Sequence, residues 1–254
     1  MNILSIVIPA YNEEKFIGNL LEIIKEIDTD KMGFTKEIIV VDDGSKDKTF
    51  QIASQFASTH PQLNIKVFMQ IPNQGKGAAV RRGIKEATGD YILIQDADLE
   101  YFPKDYITML EAIKKSNAQS NANSLLLVYG SRLLGEIKKN GLLKLFPGKH
   151  SRQSVGPWLA GVILSAWTFL LYTRKITDTL TAYKLYPASA LKEMNIVTSG
   201  FETDHELTAK FIRLGAKIVE VPIDYNPRGK DEGKKIATKD GFKAVWTLFR
   251  FRFF

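Results

Sequence analysis

The chain has 254 residues, 44% of them hydrophobic, which excludes a disordered protein and allows one large domain with its own core. It contains no cysteine, which excludes disulfides and thiolate metal sites and fits a reducing compartment. The 35 basic and 28 acidic side chains give a net charge of +7, which favours anionic partners.

Strands and helices alternate over the first 130 residues. Apolar periodicity predicts strands at Ile3–Ile8, Glu37–Val41, Ile65–Met69, Tyr91–Ile94 and Ser124–Val128, and helices at Glu14–Ile27, Thr49–Ala57, Gly77–Ala87 and Lys104–Ile113. This alternation predicts an α/β, Rossmann-like fold, with a mostly parallel sheet and helices on both faces. No basic region precedes the first apolar residues, so we expect no signal peptide and a cytoplasmic location.

The Tyr91–Ile94 strand leads directly into two carboxylates, Asp96 and Asp98. Open α/β sheets bind ligands at the carboxyl ends of their strands. Carboxylates at this spacing suit Mg²⁺ or Mn²⁺, whose coordination shell a substrate phosphate would complete. A solvated acidic turn is the alternative for an isolated Asp-x-Asp, so the neighbouring loops must decide.

Three polar loops follow the other predicted strands. They are Pro9–Glu14, Asp42–Asp47 and Asn73–Gly77. Glu13 and Asp42 offer acceptors for a base or ribose, and the glycines let the backbone approach a diphosphate. A turn with a helix cap explains the second loop equally well. Neither a Walker loop nor Gly-x-Gly-x-x-Gly follows the first strand, which disfavours a P-loop or dinucleotide-binding fold.

Four blocks of sequence stand in a distinctive order and spacing. They are Val7–Glu14 (VIPAYNEE), Val40–Ser45 (VVDDGS), Asn73–Gly77 (NQGKG) and Gln95–Leu99 (QDADL). These blocks resemble the family-two inverting glycosyltransferases of the GT-A fold, over residues 3 to about 130. A looser set extends the likeness to polyprenyl-phosphate (dolichyl-phosphate-type) mannosyl- and glucosyltransferases. That set is Gly130–Arg132, Arg152, Ile176–Asp178, Tyr183–Lys184, Glu220–Pro222 and Glu232–Lys235.

The resemblance implies roles for residues on the donor side. It places Pro9, Tyr11, Glu13 and Asp42 around the nucleoside of a nucleotide diphosphate sugar. It places Lys76 near the diphosphate.

The resemblance also implies a divalent cation, Mg²⁺ or Mn²⁺, as the cofactor. Asp96 would face the nucleotide or sugar, and Asp98 would hold the metal. The position two beyond Asp98, often Gln in the dolichyl enzymes, is Glu100 here. Glu100 is able to ligate as a further carboxylate, but it changes the local charge and leaves the metal preference open.

Basic residues in the second half match positions that resemble the acceptor-phosphate pocket of these enzymes. They are Arg132, Arg152, Arg228 and Lys235, and Lys234 is a further substrate-binding candidate. For any one of them alone, a solvated surface charge is the alternative. Nucleic acid is the least favoured anionic partner, because no helix-turn-helix, RNP-like or zinc-finger signature accompanies the basic segments.

The segment Gln153–Thr173 carries no charge and is flanked by cations. Its length would just span a bilayer, but a span would put Asp178 across the membrane from the sheet that it should serve. We therefore predict an interfacial helix over 156–172, with a buried or oligomer-forming helix and a true span as alternatives. The aromatic and cationic stretch Phe242–Phe254 predicts a second membrane contact, with a core cover or a partner contact as alternatives.

The remaining elements are a helix over Glu202–Leu214 and a strand over Lys217–Val221. Acidic residues at the start of this helix either complement its dipole or include a general base. The histidines His60, His150 and His205 show no ligand spacing and are expected on the surface.

These observations predict one GT-A domain with three parts: a nucleotide-sugar-binding half (1–130), an acceptor-side half (131–227) and a basic, aromatic C-terminal segment (228–254) with amphipathic membrane-facing elements. The expected reaction is metal-dependent, inverting transfer of a hexose from a GDP-mannose or UDP-glucose type of donor to a membrane polyprenyl phosphate. Such a phosphate, with a second pKa of ~6, needs no protein base. The protein would sit peripherally on the cytoplasmic side.

Two alternatives remain at this point. Inverting transfer to a saccharide hydroxyl would require a base, Asp178 or Asp204. A non-catalytic nucleotide-sugar-binding protein associated with membranes would require neither a base nor turnover.

Overall fold

The computed structural model describes residues 1–119, 125–141, 155–228 and 238–254. Within these residues, strands form a seven-stranded sheet. The strands are β1 (Asn2–Ala10), β2 (Phe34–Asp42), β3 (Asn64–Met69), β4 (Tyr91–Ile94), β5 (Leu126–Ser131), β6 (Lys184–Pro187) and β7 (Lys217–Pro222). Their order across the sheet is β3-β2-β1-β4-β6-β5-β7.

Helices connect and cover these strands. They are α1 (Ile17–Glu26), α2 (Thr49–Thr59), α3 (Lys76–Glu86), α4 (Tyr106–Gln119), α5 (Arg132–Asn140), α6 (Val155–Tyr172), α7 (Ala188–Glu193), α8 (Thr203–Arg213) and α9 (Thr238–Phe253). Single 3₁₀ turns occur at Asp30–Met32 and Pro103–Asp105.

The sheet is mostly parallel, as predicted. β1 pairs in parallel with both β2 and β4, and β5 pairs in parallel with β7. The exception is β6, which is antiparallel to both β4 and β5. The sequence did not predict β6, because it has four residues, begins with a lysine and ends with a proline, and so lacks a clear apolar pattern.

Both faces of the sheet are covered by helices, which confirms the predicted architecture. Successive side chains of a strand point to opposite faces, so Ile6 and Ile8 enter one core layer while Val7 enters the other. Helices α1, α2 and α4 complete the first layer, and α3, α6, α7, α8 and α9 complete the second. The sheet is therefore buried on both sides, which explains the apolar runs Ile6–Ile8 in β1 and Ile38–Val41 in β2.

Some element boundaries differ from the predictions for local reasons. Helix α1 begins at Ile17 and not at Glu14, because the backbone N–H groups of Glu13 and Glu14 donate to Thr49 and Asp47 in a turn. Helix α4 begins after a 3₁₀ turn, and its last residue is Gln119. Strand β5 ends at Ser131, where the serine hydroxyl caps α5; the first residue predicted for this strand lies outside the described residues.

The C-terminal helix α9 packs against α6 and α8. The indole N–H of Trp167 donates to the carbonyl of Val245 (3.2 Å), and the hydroxyl of Tyr172 donates to that of Leu248 (2.7 Å). Across the described ranges, none of the helices combines the length and the hydropathy that crossing a bilayer would take. The membrane-facing role of α6 and α9 therefore stays a prediction, as does the three-part division of the chain.

Candidate active site

The first, second and fourth strands end at the same edge of the sheet. Ala10 lies opposite Asp42, and Val7 lies opposite Ile94. This register brings the loops after β1, β2 and β4 together, which is where an open α/β sheet binds its ligands. Pro9 is buried at the end of β1, and Tyr11 follows it in a half-buried position.

The loop after β2 is organised by two adjacent aspartates. Asp42 is fully buried and accepts a hydrogen bond from the backbone N–H of Ser45 (3.1 Å) and another from its hydroxyl. Asp43 accepts from the backbone N–H groups of Gln74 (2.8 Å) and Gly75 (2.7 Å). Asp43 was not among the predicted site residues, yet it holds the Asn73–Gly77 loop against β2. The two adjacent aspartates in the sequence were the signal that could have identified Asp43.

Gly75 has to be a glycine in this loop. Its φ of +96° lies in the left-handed region, and a Cβ there would come within 2.4 Å of the Ser199 carbonyl oxygen. This close approach sets the start of α3, where Lys76 is the first residue.

Lys76 lies between two carboxylates. Its ammonium is 2.7 Å from Asp96 and 3.5 Å from Asp204, and it also approaches the ring of Phe201. Burial disfavours the charge on Lys76, but Asp96 and Asp204 outweigh this effect and raise the pKa of Lys76 above its ordinary value. A fixed cation therefore stands at the start of α3, where the backbone N–H groups of Gly77 and Ala78 already donate to the Ser199 carbonyl.

A second cation, Arg228, faces three carboxylates. Its guanidinium lies 2.8 Å from Asp98, 3.2 Å from Glu13 and 3.4 Å from Glu100. We call these four residues the Arg228 cluster. Burial raises the pKa of Asp98 to about 7; the carboxylates of Asp96 and Glu100 add to this rise, and Arg228 opposes it.

Arg132 forms a closed ion pair with Asp178. Two guanidinium nitrogens of Arg132 each lie 2.7 Å from a different carboxylate oxygen, and the Arg132 backbone N–H donates to the same carboxylate at 3.0 Å. Burial would raise the pKa of Asp178, but Arg132 overrides it and lowers the pKa below its ordinary value. A carboxylate held in this way is a weak proton acceptor.

Tyr225 connects the two arginine sites. Its ring lies 4.9 Å from the guanidinium carbon of Arg132, and its hydroxyl donates to Glu100. The structure thus brings Arg132 and Arg228 to neighbouring positions at this edge of the sheet. The guanidinium of each contacts a carboxylate. Tyr225 could not be predicted from the sequence, because a single aromatic residue in a loop has no periodicity. Arg152, Lys234 and Lys235 lie outside the described residues.

Two residues beneath the site are buried, which the sequence analysis did not predict. Lys184 is fully buried in β6, where its ammonium donates to the Asp204 carbonyl (3.2 Å) and the Thr208 hydroxyl (3.1 Å), and burial lowers the pKa of Lys184 to about 8. His205 was expected on the surface, and that expectation is wrong. It is 5% exposed, and burial lowers its pKa to about 3, so it stays neutral.

The residues at this edge fit a divalent cation. In the described part of the chain, no three acidic, histidine or cysteine side chains converge as a preformed metal site. However, Asp98 and Glu100 both direct oxygens at one guanidinium, so both can face one cation. Mg²⁺ and Mn²⁺ sites commonly combine one or two protein carboxylates with substrate phosphate, and these two residues meet that requirement.

Comparison with known proteins agrees with this geometry. The model of the family described as "Glycosyl transferase family 2" matches residues 5–172. The chain belongs to glycosyl transferase family 2. This glycosyltransferase is 31% identical, over 99% of its length, to a dolichyl-phosphate beta-glucosyltransferase of Trichomonas vaginalis, of which it covers 73%. It is also 31% identical, over 97% of its length, to a dolichol-phosphate mannosyltransferase of Pyrococcus furiosus, of which it covers 62%.

The fold of this glycosyltransferase also occurs in a solved structure. Glucosyl-3-phosphoglycerate synthase from Mycobacterium tuberculosis, in complex with UDP, superposes with a TM-score of 0.66 at 19% identity, covering 99% of this chain and 80% of the synthase. Another structure of that synthase contains Mn²⁺, UDP and phosphoglyceric acid. The likeness confirms the predicted GT-A architecture, and the family match confirms that the chain is an enzyme that transfers glycosyl groups.

Proposed function

We propose that this glycosyltransferase moves a hexose, with inversion, from a nucleotide diphosphate sugar to a polyprenyl phosphate at a membrane surface, and that it requires a divalent cation. The observation that carries the proposal is the meeting of Asp96, Asp98, Lys76 and Arg228 at one edge of the sheet. Alternating carboxylates and fixed cations suit a site that binds a diphosphate with its metal. The relatives named as dolichyl-phosphate transferases support the choice of acceptor.

The donor would lie along the loops after β1, β2 and β3. Pro9, Tyr11, Glu13 and Asp42 are proposed to surround the nucleoside, and Lys76 to face the diphosphate. The position of Lys76 supports this assignment, because Asp96 and Asp204 hold its ammonium in place and a fixed cation attracts phosphate oxygens. Asp96, which contacts Lys76, would orient that ammonium and approach the nucleotide or sugar.

Asp98 and Glu100 would hold the divalent cation, with Asp96 beside them. When bound, the cation would offset the negative charge that develops on the departing diphosphate. The Mycobacterium synthase, which shares the fold, binds Mn²⁺ together with UDP, and this supports the proposal of a cation in the present chain.

The acceptor is proposed to be a phosphate because each of the two candidate bases forms an ion pair with a cationic side chain. Asp178 is paired through two hydrogen bonds with Arg132, and Asp204 lies 3.5 Å from Lys76. A saccharide hydroxyl would need one of them to accept a proton. A phosphate monoester is already ionised near neutral pH, since its second pKa is ~6, and so needs only cations for its recognition.

A membrane surface is proposed as the place of reaction, on the cytoplasmic side. The outward side of α6 exposes a continuous apolar stripe, and α9 beside it exposes large aromatic residues among cations. The exposed residues are Leu159, Val162, Ile163, Phe169 and Leu170 on α6, and Phe242, Trp246 and Phe253 on α9. An apolar face with flanking Lys and Arg suits the interface of an anionic bilayer.

Release of the nucleotide tests the reaction. We expect UDP or GDP to be released from UDP-glucose or GDP-mannose only when Mn²⁺ or Mg²⁺ and a polyprenyl phosphate are present in liposomes. The matched control acceptor is the same polyprenol without its phosphate. Transfer to a saccharide at a rate above that with the lipid phosphate, or full activity in a chelator, would contradict the proposal.

Flotation with liposomes tests the membrane contact. We expect binding to anionic vesicles that weakens with salt but persists, because salt screens only the electrostatic part. Phe169→Ser combined with Trp246→Ser should reduce the binding, since each buried aromatic side chain contributes about 1.5–3 kcal/mol. Val197→Ser is the control, because Val197 is exposed but lies outside both helices. Equal loss in the control, or no binding by the unaltered protein, would reject the contact.

A further inference from the structure

The Arg228 cluster gathers three carboxylates around one guanidinium. Among the described residues, this guanidinium faces the carboxylates of Asp98, Glu13 and Glu100. All four side chains are largely withdrawn from solvent, with exposures of 6–14%. Carboxylates that are withdrawn from water are stabilised by a cation in contact with them.

Several hydrogen bonds fasten the backbone around Arg228 to Glu100. The N–H of Arg228 donates to the Glu100 carboxylate (3.0 Å), and the N–H of Asn226 donates to the Glu100 carbonyl (2.9 Å). The hydroxyl of Tyr225 donates to the second carboxylate oxygen. The guanidinium is also stacked against the ring of Phe16, at 5.3 Å. These contacts hold Arg228 in a defined position beside Glu100.

The guanidinium contacts the same two carboxylates that would ligate the metal. Its terminal nitrogen lies 2.8 Å from Asp98, and its Nε lies 3.4 Å from Glu100. A divalent cation on these oxygens would stand within a few ångströms of a guanidinium, and their like charges would repel. The metal and the guanidinium would therefore compete for these carboxylates.

We propose that Arg228 is a resident counter-cation, which takes the place of the divalent cation in the donor-free enzyme and is displaced when the metal arrives. The displaced guanidinium then becomes available to the phosphate of the acceptor, so that loading of the metal and donor precedes tight binding of the acceptor. This second step rests on the proposed function, whereas the competition between Arg228 and the metal does not.

Direct Mn²⁺ binding, measured by electron paramagnetic resonance without nucleotide, tests the competition. We expect Arg228→Gln to bind Mn²⁺ about tenfold more tightly than the unaltered protein, within the usual range of coupling between two interacting sites. The matched control is Arg82→Gln, because Arg82 lies on α3 and pairs with Glu86 at the surface. Equal or weaker Mn²⁺ binding by Arg228→Gln would overturn the proposal.

Thermal unfolding gives a second, independent measurement. In a chelator, Arg228→Gln should unfold at a lower temperature than the unaltered protein, because its carboxylates have lost their cation. Mn²⁺ should raise the Tm of Arg228→Gln more than that of the unaltered protein. If Arg228→Gln does not fold, Arg228→Lys replaces it and should show intermediate Mn²⁺ affinity, because it keeps the charge without the fork of donors. An affinity equal to that of the unaltered protein would then reject the competition.

Farnesyl phosphate serves as the probe for the second step. Mn²⁺ with UDP should raise the affinity of the unaltered protein for farnesyl phosphate, and Arg228→Gln should lose most of this gain. An equal gain in both proteins would reject the release of Arg228 towards the acceptor. Failure of the transfer reaction with the Mn²⁺ competition intact would reject the proposed function and leave the counter-cation role standing.

Discussion

The two arginine sites at the carboxyl edge of the sheet differ in their balance of charge. Arg132 meets one carboxylate, Asp178, in a two-point pair that neutralises both groups. Within the described part of the chain, Arg228 meets three carboxylates. The pKa values follow this difference, because the pKa of Asp178 is lowered whereas that of Asp98 is raised to about 7. A balanced pair serves the fold, and an unbalanced cluster is ready to take a cationic ligand.

The largest effect is expected at the balanced pair. Arg132→Ala would leave Asp178 buried without its cation, and such a break in a buried pair costs about 3 kcal/mol. For a chain of this size this corresponds to a Tm lower by roughly 6–12 °C. Thermal unfolding measures it, and the double variant Arg132→Leu with Asp178→Asn should recover much of the loss. An unchanged Tm in Arg132→Ala would mean that the pair does not stabilise the fold.

The next effect concerns activity at the unbalanced cluster. Asp98→Asn should lower metal-dependent turnover by ~10²-fold or more, as expected for losing a group that stabilises developing charge. Its Tm should not fall, because a carboxylate with a raised pKa is itself unfavourable in the folded state. Asp90→Asn is the control, since Asp90 precedes β4 and lies away from the carboxyl edge. If the Asp98→Asn variant kept the metal-dependent turnover of the unaltered protein, Asp98 would not be a metal ligand.

The smallest effect is the pH dependence of stability without metal. The folded pKa of Asp98 is about 7, above the ~3.9 of an unfolded aspartate, so between these values the folded state binds more protons. The free energy of unfolding in a chelator should therefore rise by about 1 kcal/mol as the pH falls from ~8 to ~6, and Mn²⁺ affinity should weaken over the same window. Unfolding curves at several pH values measure this. If the Asp98→Asn variant shows the same rise in the free energy of unfolding, the rise comes from the titration of another group.

Much of the fold and part of the site could be predicted from the sequence. The buried parallel strands β1, β2 and β4 each contain an apolar run, and the acidic and glycine-containing loops that follow them carried the family likeness. Parallel strands deliver their following loops to one edge, which is why the proximity of Lys76 to Asp96 could be expected.

The parts that could not be predicted depend on distant contacts. Arg228 and Glu13 are separated by 215 positions, and no local pattern indicates that they meet. His205 gave no signal of its burial, because a polar residue in the first turn of a helix is usually solvated and only the packing of α8 against the sheet decides otherwise. The clusters of charge that distinguish the two arginine sites are set by tertiary approach and not by periodicity.

The antiparallel strand β6 has a consequence for synthesis of the chain. β4 gains its second neighbour only when Tyr91 can pair with Pro187, more than ninety positions later. At a translation rate of about 5–20 residues per second, the ribosome needs roughly 5–20 s to reach that point, during which β4 presents an unpaired, apolar edge. Until β6 has been made, the N-terminal half of the chain therefore carries an unpaired strand edge, a feature that favours aggregation.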